Sequence, residues 1–404
     1  MSRYASLSRN ELAVLLPELL LVGQLIDRSG MAWCIGAYGR EGMIQVAIEE
    51  WMAASPIYTR RMQRALRYEG DDVVTIFKGL QLDIGAPPQF MDFRYTVHDP
   101  WHGEFHLDHC GALMDVEPMG PDYVRGMCHD IEDPTFDATA VATNPRAQVR
   151  PLHRPPRTPA DRSPHCAWTV VIDPSHPAVT ESDGCREVRQ SRAAQVVLSD
   201  IDPADPGMAD YSGPLLSDVD FAAFSHSALV RMADEVCLQM HLLNLGFLRA
   251  VRRRSDLRLA REIAHKQLVG IAGVAAERIH AALDLPEGAE GALSTLELHP
   301  LLNPAAYVEA SVSDELRVRP SAAHEDGGWI TLCGPGSPAP LQAAVRAVDP
   351  CLDVEVLGSD HDWTATVVRR EEAAPVAEEV AVTRISTGAS FVFQPRRSIP
   401  ITPV

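Results

Sequence analysis

Three adjacent cysteine–histidine pairs carry most of the chemical potential of this chain: His109-Cys110, Cys128-His129 and His165-Cys166. Five of the 15 histidines also fall between His98 and His129. Thiolate and imidazole are the ligands that Zn²⁺ and Fe²⁺ prefer, and three or four of them converging make a site. His106, His109, Cys110, Cys128, His129 and Cys166 are therefore the candidate metal ligands. There is no CxxC pair, and the His98–His102 spacing spans Pro100. A metal-free chemistry uses the same region differently. Cys110 beside His109 or His129 is a candidate nucleophile, with His129 and Glu132 as acid or base. Arg94 and Arg125 can grip a substrate carboxylate through a two-pronged fork. Each residue alone also has a plainer role. Free Cys packs as a small hydrophobe, Glu132-Asp133-Pro134 makes a polar helix exit, and each Arg makes a solvated face or an ion pair.

These residues need elements to bring them together. Arg9 to Asp27 reads as a helix buried on several sides. Glu41 to Tyr68 reads as an amphipathic helix with Ile44, Ala47, Ile48 and Trp51 on one face and a break at Pro56. Asp71 and Asp72 can cap a third helix ending near Leu82, with Gly85 as the stop. Met91 to His98 alternates like a strand, Asp99-Pro100 turns, and a second strand runs from Glu104 to Leu113. Strict alternation places His109 toward the core, and His106 and Cys110 on the polar face. Pro121 to Ile131 has helical spacing, with Cys128 on its apolar stripe and Glu132 and Asp133 just beyond its end. A Pro- and Arg-rich connection then leads to a strand from Cys166 to Ile172.

After a segment of Asp, Pro, Ser and Gly (176–218) the chain starts again. Two long helices, Phe221 to Arg253 and Leu257 to Leu285, precede a strand-rich region. His324 leads toward Cys333-Gly334 as His102 leads toward Cys110-Gly111. Pro340 to Val348 echoes Pro121 to Ile131, and the strand at Trp363 echoes that at Trp168. The expected fold is α+β: two tandem helices-then-antiparallel-sheet units, 1–175 and 219–404, joined by 176–218, a duplication with a degenerate second copy. At the matching places the second copy carries Cys333, Ala347-Val348 and His361-Asp362, so all three Cys/His pairs fall in the first.

Composition sets limits on partners. The chain has 404 residues, 46% of them hydrophobic, enough for a large core. Its 55 acidic against 36 basic residues give a formal charge of −19, which argues against nucleic acid and anionic membranes. All the basic residues except Lys78 and Lys266 are arginine, a GC-rich, actinobacterial-like usage. Lys78 sits on an otherwise apolar helix and is expected to snorkel. The run Leu12 to Ile26 is too short for a membrane span and is broken by Pro17 and Glu18. Eight cysteines, unevenly placed, do not make a disulfide scaffold. A cytoplasmic protein acting on a small molecule, with a homo-oligomer possible, is the expectation.

A helical N-terminal part, a strand ending in Cys110, a helix with Cys128 and an acidic exit, Asn144-Pro145 with an Arg-rich loop, and a closing Cys166-Ala167-Trp168 strand occur in that order. Across residues 35–173 this order resembles the L-2-amino-thiazoline-4-carboxylate hydrolase-like family. The chain departs from that pattern by His109 before the first Cys and by its doubled length. The resemblance implies hydrolysis of a small cyclic amidine or thioether. Three functions are thus expected in order: a metal- or thiolate-dependent hydrolase using Zn or Fe, a ligand-binding protein with a structural Cys/His metal site, and a thiol redox protein.

Overall fold

Each half of the chain opens its helical part with a serine cap. In a computed structural model describing residues 1–386, 388, 393 and 396–404, the Ser8 side chain accepts from Glu11 N, and the Glu11 carboxylate accepts from Ser8 N. This capping box starts α1 (Arg9–Ala65). Ser225 caps α8 (His226–Arg252) through Ala228 N. Asp256 then caps α9 (Leu257–Ala282). The 57-residue α1 bends at Gly39, whose φ of 70° is a conformation glycine takes without a Cβ penalty. It corresponds to α8 and α9 run together. The expected break at Pro56 does not occur. The helix continues through it, and the Met52 carbonyl, which a proline at 56 cannot serve, accepts from Ser182 Oγ at 3.4 Å.

The first unit continues with α2 (Val73–Gln81), capped by Asp72 as expected, and the hairpin β1 (Met91–Asp99) and β2 (His102–Cys110). The chain then turns straight into α3 (Gly111–Val116), so β2 ends three residues before Leu113. Next come α4 (Pro121–Arg125), a π-helical segment (Gly126–Ile131) and α5 (Glu132–Ala140). Glu132 and Asp133 thus begin a helix instead of leaving one. β3 (Ala147–His153) and β4 (Cys166–Ile172) complete a sheet of order β1-β2-β4-β3. The connection contains α6 (Asp183–Val188) and α7 (Arg192–Gln195). The second unit adds α10 (Gly288–Leu298), β5 (Ala310–Val312), β6 (Leu316–Val318), α11 (Ala322–Glu325), α12 (Ala339–Val348), β7 (Leu352–Gly358), β8 (Trp363–Arg369) and α13 (Glu378–Arg384). Its sheet has the order β5-β6-β8-β7, the same topology as the first.

The two units are equivalent in more than strand order. Ser8 and Ser225, and the left-handed residues Arg67 and Asp284 just past the ends of α1 and α9, lie a constant 217 positions apart. Tyr38 and Ser255 share that separation and bond to each other, hydroxyl to hydroxyl, at 2.8 Å. Gly30 lies against Phe247, its own counterpart; a Cβ there would come within 2.9 Å of the ring. α1 and α8 therefore cross at equivalent positions, and one continuous apolar core joins the units. Two expected matches need correction. Residues 324–333 form the end of α11 and a 3₁₀ turn (Trp329–Leu332), not a strand, so Cys333 is not the counterpart of Cys110. The helix that corresponds to α12 is α5, because each directly precedes the third strand of its sheet.

A bulge reverses the expected parity at the end of β2. Phe93 pairs with Leu107 but Met91 pairs with Cys110, so β2 carries one extra residue there. Cys110 consequently turns inward with Leu107 and Phe105, and is buried. His109 turns away from them, half-buried beside His165 with ring centroids 6.0 Å apart.

Candidate functional site

The inner face of the first sheet is covered by α2 and α5, with α1 and the π-helical segment facing it across a cavity. Phe136 of α5 packs on Phe105 and Trp168, at 5.4 and 5.0 Å between ring centroids. Beneath this cover lies a cavity of about 80 Å³, lined by Asp27, Arg28, Trp51, Tyr58, Asp83 and Glu132 among others. An apolar chamber of about 380 Å³ adjoins it, lined by Met31, Ile35, Met43, Met119, Tyr123 and Ile385. Arg28, Met127 and Ile131 border both spaces. The wall between them is therefore partly the π-helical segment, a local widening that often accompanies function.

Each carboxyl in the cavity has its own setting. Asp27 accepts from Trp51 Nε1 at 3.2 Å and pairs with Arg28. Behind it lies Glu50, wholly buried, and burial together with the Asp27 charge pushes its carboxyl well above the usual range. As two carboxylates the pair would leave both Glu50 oxygens without a donor; a proton on Glu50 turns the contact into a hydrogen bond to Asp27. Asp83 accepts from Tyr58 Oη at 2.8 Å and from Gly85 N at 2.7 Å. Gln239 of α8 holds the backbone on both sides of it, donating to Leu82 O and accepting from Ile84 N. Burial raises Asp83 to about 6. Glu132 is raised further, to about 8, again by burial, with Arg154 opposing the shift; its Oε2 is enclosed and has no hydrogen-bond partner.

The expected site residues divide between two faces of the sheet. Cys110, Cys128 and Cys166 do converge near Glu132: each thiol is raised by burial first and then by the Glu132 charge, Cys110 to about 12. Cys110 Sγ accepts from Leu113 N at 3.4 Å. Cys166 lines the cavity. All eight cysteines are free. The histidines do not join them. His106 lies on the outer face, opposite Arg94 and Ala167 and 3.4 Å from Asp108. His109 sits with His165, and His129 Nε2 contacts Pro155 O at 2.7 Å. Neither expected arginine lines the cavity. Arg94 pairs with Asp92 and Asp218 on the outer side, and Arg125 is exposed. Lys78 does not snorkel; its Nζ is buried and donates to Tyr211 O and Gly213 O at 2.8 and 2.5 Å.

Among the described residues, one group can hold a metal ion: His98, His102 and Glu104, half-buried at the β1–β2 turn, with ligand atoms all within 4.8 Å of one another. The cysteines do not form such a group. Also among the described residues, no helix is long and apolar enough to cross a membrane.

Sequence reading passed over Asp27, Arg28, Glu50, Trp51, Tyr58 and Asp83 as site residues. A signal for two of them was present. Displaced by 217 positions, Asp27 and Glu50 fall on Asn244 and Gln267, acid on amide twice. No family model, curated protein or solved structure matches this chain.

Proposed function

We propose that the first unit is a small-molecule hydrolase whose reaction is carried by Asp83 and Glu132. The supporting observation is the cavity itself: a set of carboxyls facing one space, in which Arg28 is the only lining cation among the described residues. Buried acids without matching cations are costly and seldom kept for stability. Two carboxyls with pKa values driven apart are suited to opposite roles near neutrality. Asp83, at about 6, is largely ionised there and serves as base; Glu132, at about 8, is largely protonated and serves as acid. In the proposed step Asp83 takes a proton from water as its oxygen bonds to the electrophilic carbon. The bond from that carbon to the leaving nitrogen breaks, and Glu132 gives that nitrogen its proton. The acid excess, with Asp27 and Glu50 behind, favours a protonated amidine head. The adjoining apolar chamber receives the rest of the molecule.

A cyclic amidine is also what the resemblance to the L-2-amino-thiazoline-4-carboxylate hydrolase-like family suggests. Cys110 and His129 have no role in this step, since the thiol is held protonated and the imidazole faces Pro155. Zn²⁺ or Fe²⁺ has none either. The test is turnover of a panel of cyclic amidines, beginning with 2-aminothiazoline-4-carboxylate, followed by mass spectrometry. Asp83→Asn and Glu132→Gln are each expected to lower the rate about 10²–10⁴-fold with the fold retained. Undiminished turnover in both variants, or none across the panel with wild-type protein, overturns the assignment.

A further inference from the structure

The outer face of the same sheet carries a second constellation, independent of the cavity. His98 ends the regular part of β1, and His102 and Glu104 open β2, across the turn Asp99-Pro100-Trp101. Val97 pairs with Gly103, but Asp99 pairs with His102, so His98 is the extra residue of a bulge and has no cross-strand partner. Alternation from Thr96, the partner of Glu104, puts His98 on the face that carries Glu104 and His102. The two imidazoles lie with centroids 4.6 Å apart and planes tilted by 40°. His98 Nε2 lies 3.3 Å from Glu104 Oε1. That nitrogen is enclosed and makes no well-aligned hydrogen bond. Three ligand atoms thus lie within 4.8 Å of one another, and His98 Nε2 among them makes no hydrogen bond.

We infer that His98, His102 and Glu104 bind a divalent transition-metal ion of the Zn²⁺ class. Two imidazoles and one carboxylate select such an ion over Mg²⁺ or Ca²⁺, which prefer all-oxygen shells. Three protein ligands leave at least one coordination position for water or a ligand. The side chains are about one-third exposed, 32% for His98 and 37% for Glu104, so an ion can enter without unfolding. The second unit has no equivalent: its β5–β6 turn is Ser313-Asp314-Glu315, without histidine.

The experiment uses the untagged full-length chain, stripped with chelator and titrated with Zn²⁺ by calorimetry and with Co²⁺ by absorption spectroscopy. The expected result is one equivalent bound, with a Co²⁺ spectrum of nitrogen and oxygen ligands and no thiolate charge-transfer band. His98→Gln and His102→Gln are each expected to weaken binding about 100-fold, and Glu104→Gln about 10-fold, with unchanged circular dichroism; the scale is that of losing one ligand interaction of about 1.4–2.7 kcal/mol. No uptake at 100 µM Zn²⁺, where about 100 µM marks weak binding, overturns the inference. So does retained stoichiometry in a variant combining His98→Gln with His102→Gln, and so does a thiolate band, which would place the metal among Cys110, Cys128 and Cys166. Loss of folding in a variant is checked with the wild-type chain alone, whose Co²⁺ spectrum already distinguishes the two ligand sets.

Discussion

The two units place the same helices around the same spot and fill it with opposite chemistry. In the first, Gln24, Asp27, Trp51, Tyr58 and Asp83 line a cavity, with Glu50 behind Asp27. At the positions 217 residues later stand His241, Asn244, Leu268, Ala275, Pro300 and Gln267. The second unit has no acid in this set, and His241 is buried among its neighbours. Its ring lies 4.9 Å from that of Tyr307 and 5.3 Å from that of Trp329, and its Nε2 donates to Pro300 O and Asn303 O. The amide pair is informative in its own right. Asn244 Nδ2 donates to Gln267 Oε1 at 3.3 Å, the neutral counterpart of the Asp27 contact with a protonated Glu50. The second unit keeps the contact without the titration. A fold that needed only the contact would have no use for the acids, which is why the acids point to function.

Exchanging the pairs tests this most severely. Asn244→Asp with Gln267→Glu buries two carboxyls with no counterpart of Arg28 or Trp51, since Leu245 and Leu268 stand there. The double variant is expected to lose about 3–5 kcal/mol of stability at pH 8, partly recovered at pH 5, as read from urea unfolding. The reverse exchange, Asp27→Asn with Glu50→Gln, is expected to leave stability level or higher. Equal tolerance of both exchanges would show that the two sites are electrostatically alike and would end the comparison.

The pH dependence of unfolding follows from the same asymmetry. A carboxyl whose folded pKa lies above its unfolded value binds protons more tightly when folded, so stability falls as pH rises between the two values. For Glu132 that window runs from about 4.5 to about 8, and for Asp83 from about 3.8 to about 6. The slope has a ceiling of about 1.4 kcal/mol per pH unit for each group. Glu132→Gln should flatten the upper part of the curve and Asp83→Asn the lower part. His241 works in the other direction. Burial lowers it to about 4, so its neutral form is favoured and stability falls as pH drops from about 6.5 toward 4. His241→Gln should remove that acid-side loss. An unchanged slope between pH 6 and 8 in Glu132→Gln would mean that Glu132 is not protonated in the folded chain.

Much of this architecture was legible in the sequence, for local reasons. The Asp72 cap, the alternation from Met91 and the Cys166–Ile172 strand depend on neighbours a few residues away, and each formed where expected. The site was less legible because it depends on contacts between distant segments. Cys110 faces inward only because a bulge inserts one residue, which no alternation pattern reveals. Asp27 reads as the polar end of an apolar helix until α1 continues past it and brings Trp51 and Glu50 alongside. Pro56 reads as a break until Ser182, more than a hundred residues later, serves the carbonyl it strands. The words shared by the halves were visible, but β-strand words misled at His324, where the second unit folds a helix.

At the crossing of α1 and α8 the halves are again unequal, and the expected effects are smaller. Phe247 fills the space that Gly30 leaves, so Phe247→Ala should cost about 3–5 kcal/mol if the gap does not close. Gly30→Ala pushes a methyl to within 2.7 Å of Gln267 Nε2 and should cost about 1–3 kcal/mol. Combining them should recover part of the loss, because the alanine methyl enters the space the ring vacated. Strict additivity of the two costs in thermal or urea unfolding would mean that the positions do not meet.

The smallest effect concerns the caps, where the halves are most alike. Ser8 and Ser225 each accept from the backbone N–H three residues on, at 3.3 Å in both cases. Removing either hydroxyl strips a helix of one satisfied donor, at about 0.5–2 kcal/mol. Ser225 is buried, so after Ser225→Ala the Ala228 N–H has no water to turn to, and the cost should lie near the upper end. Ser8 is exposed, and its capping partner Glu11 has its carboxyl held below the usual range by the Ser8 hydroxyl and backbone. Ser8→Ala should therefore cost nearer the lower end, and the loss should shrink as pH falls below about 4.5, because the hydroxyl–carboxylate interaction that the substitution removes is then already lost to protonation of Glu11 in the wild type. A Ser8→Ala cost equal to that of Ser225→Ala, and flat in pH, would show that burial does not separate two caps of identical geometry, and that the units differ only at the cavity.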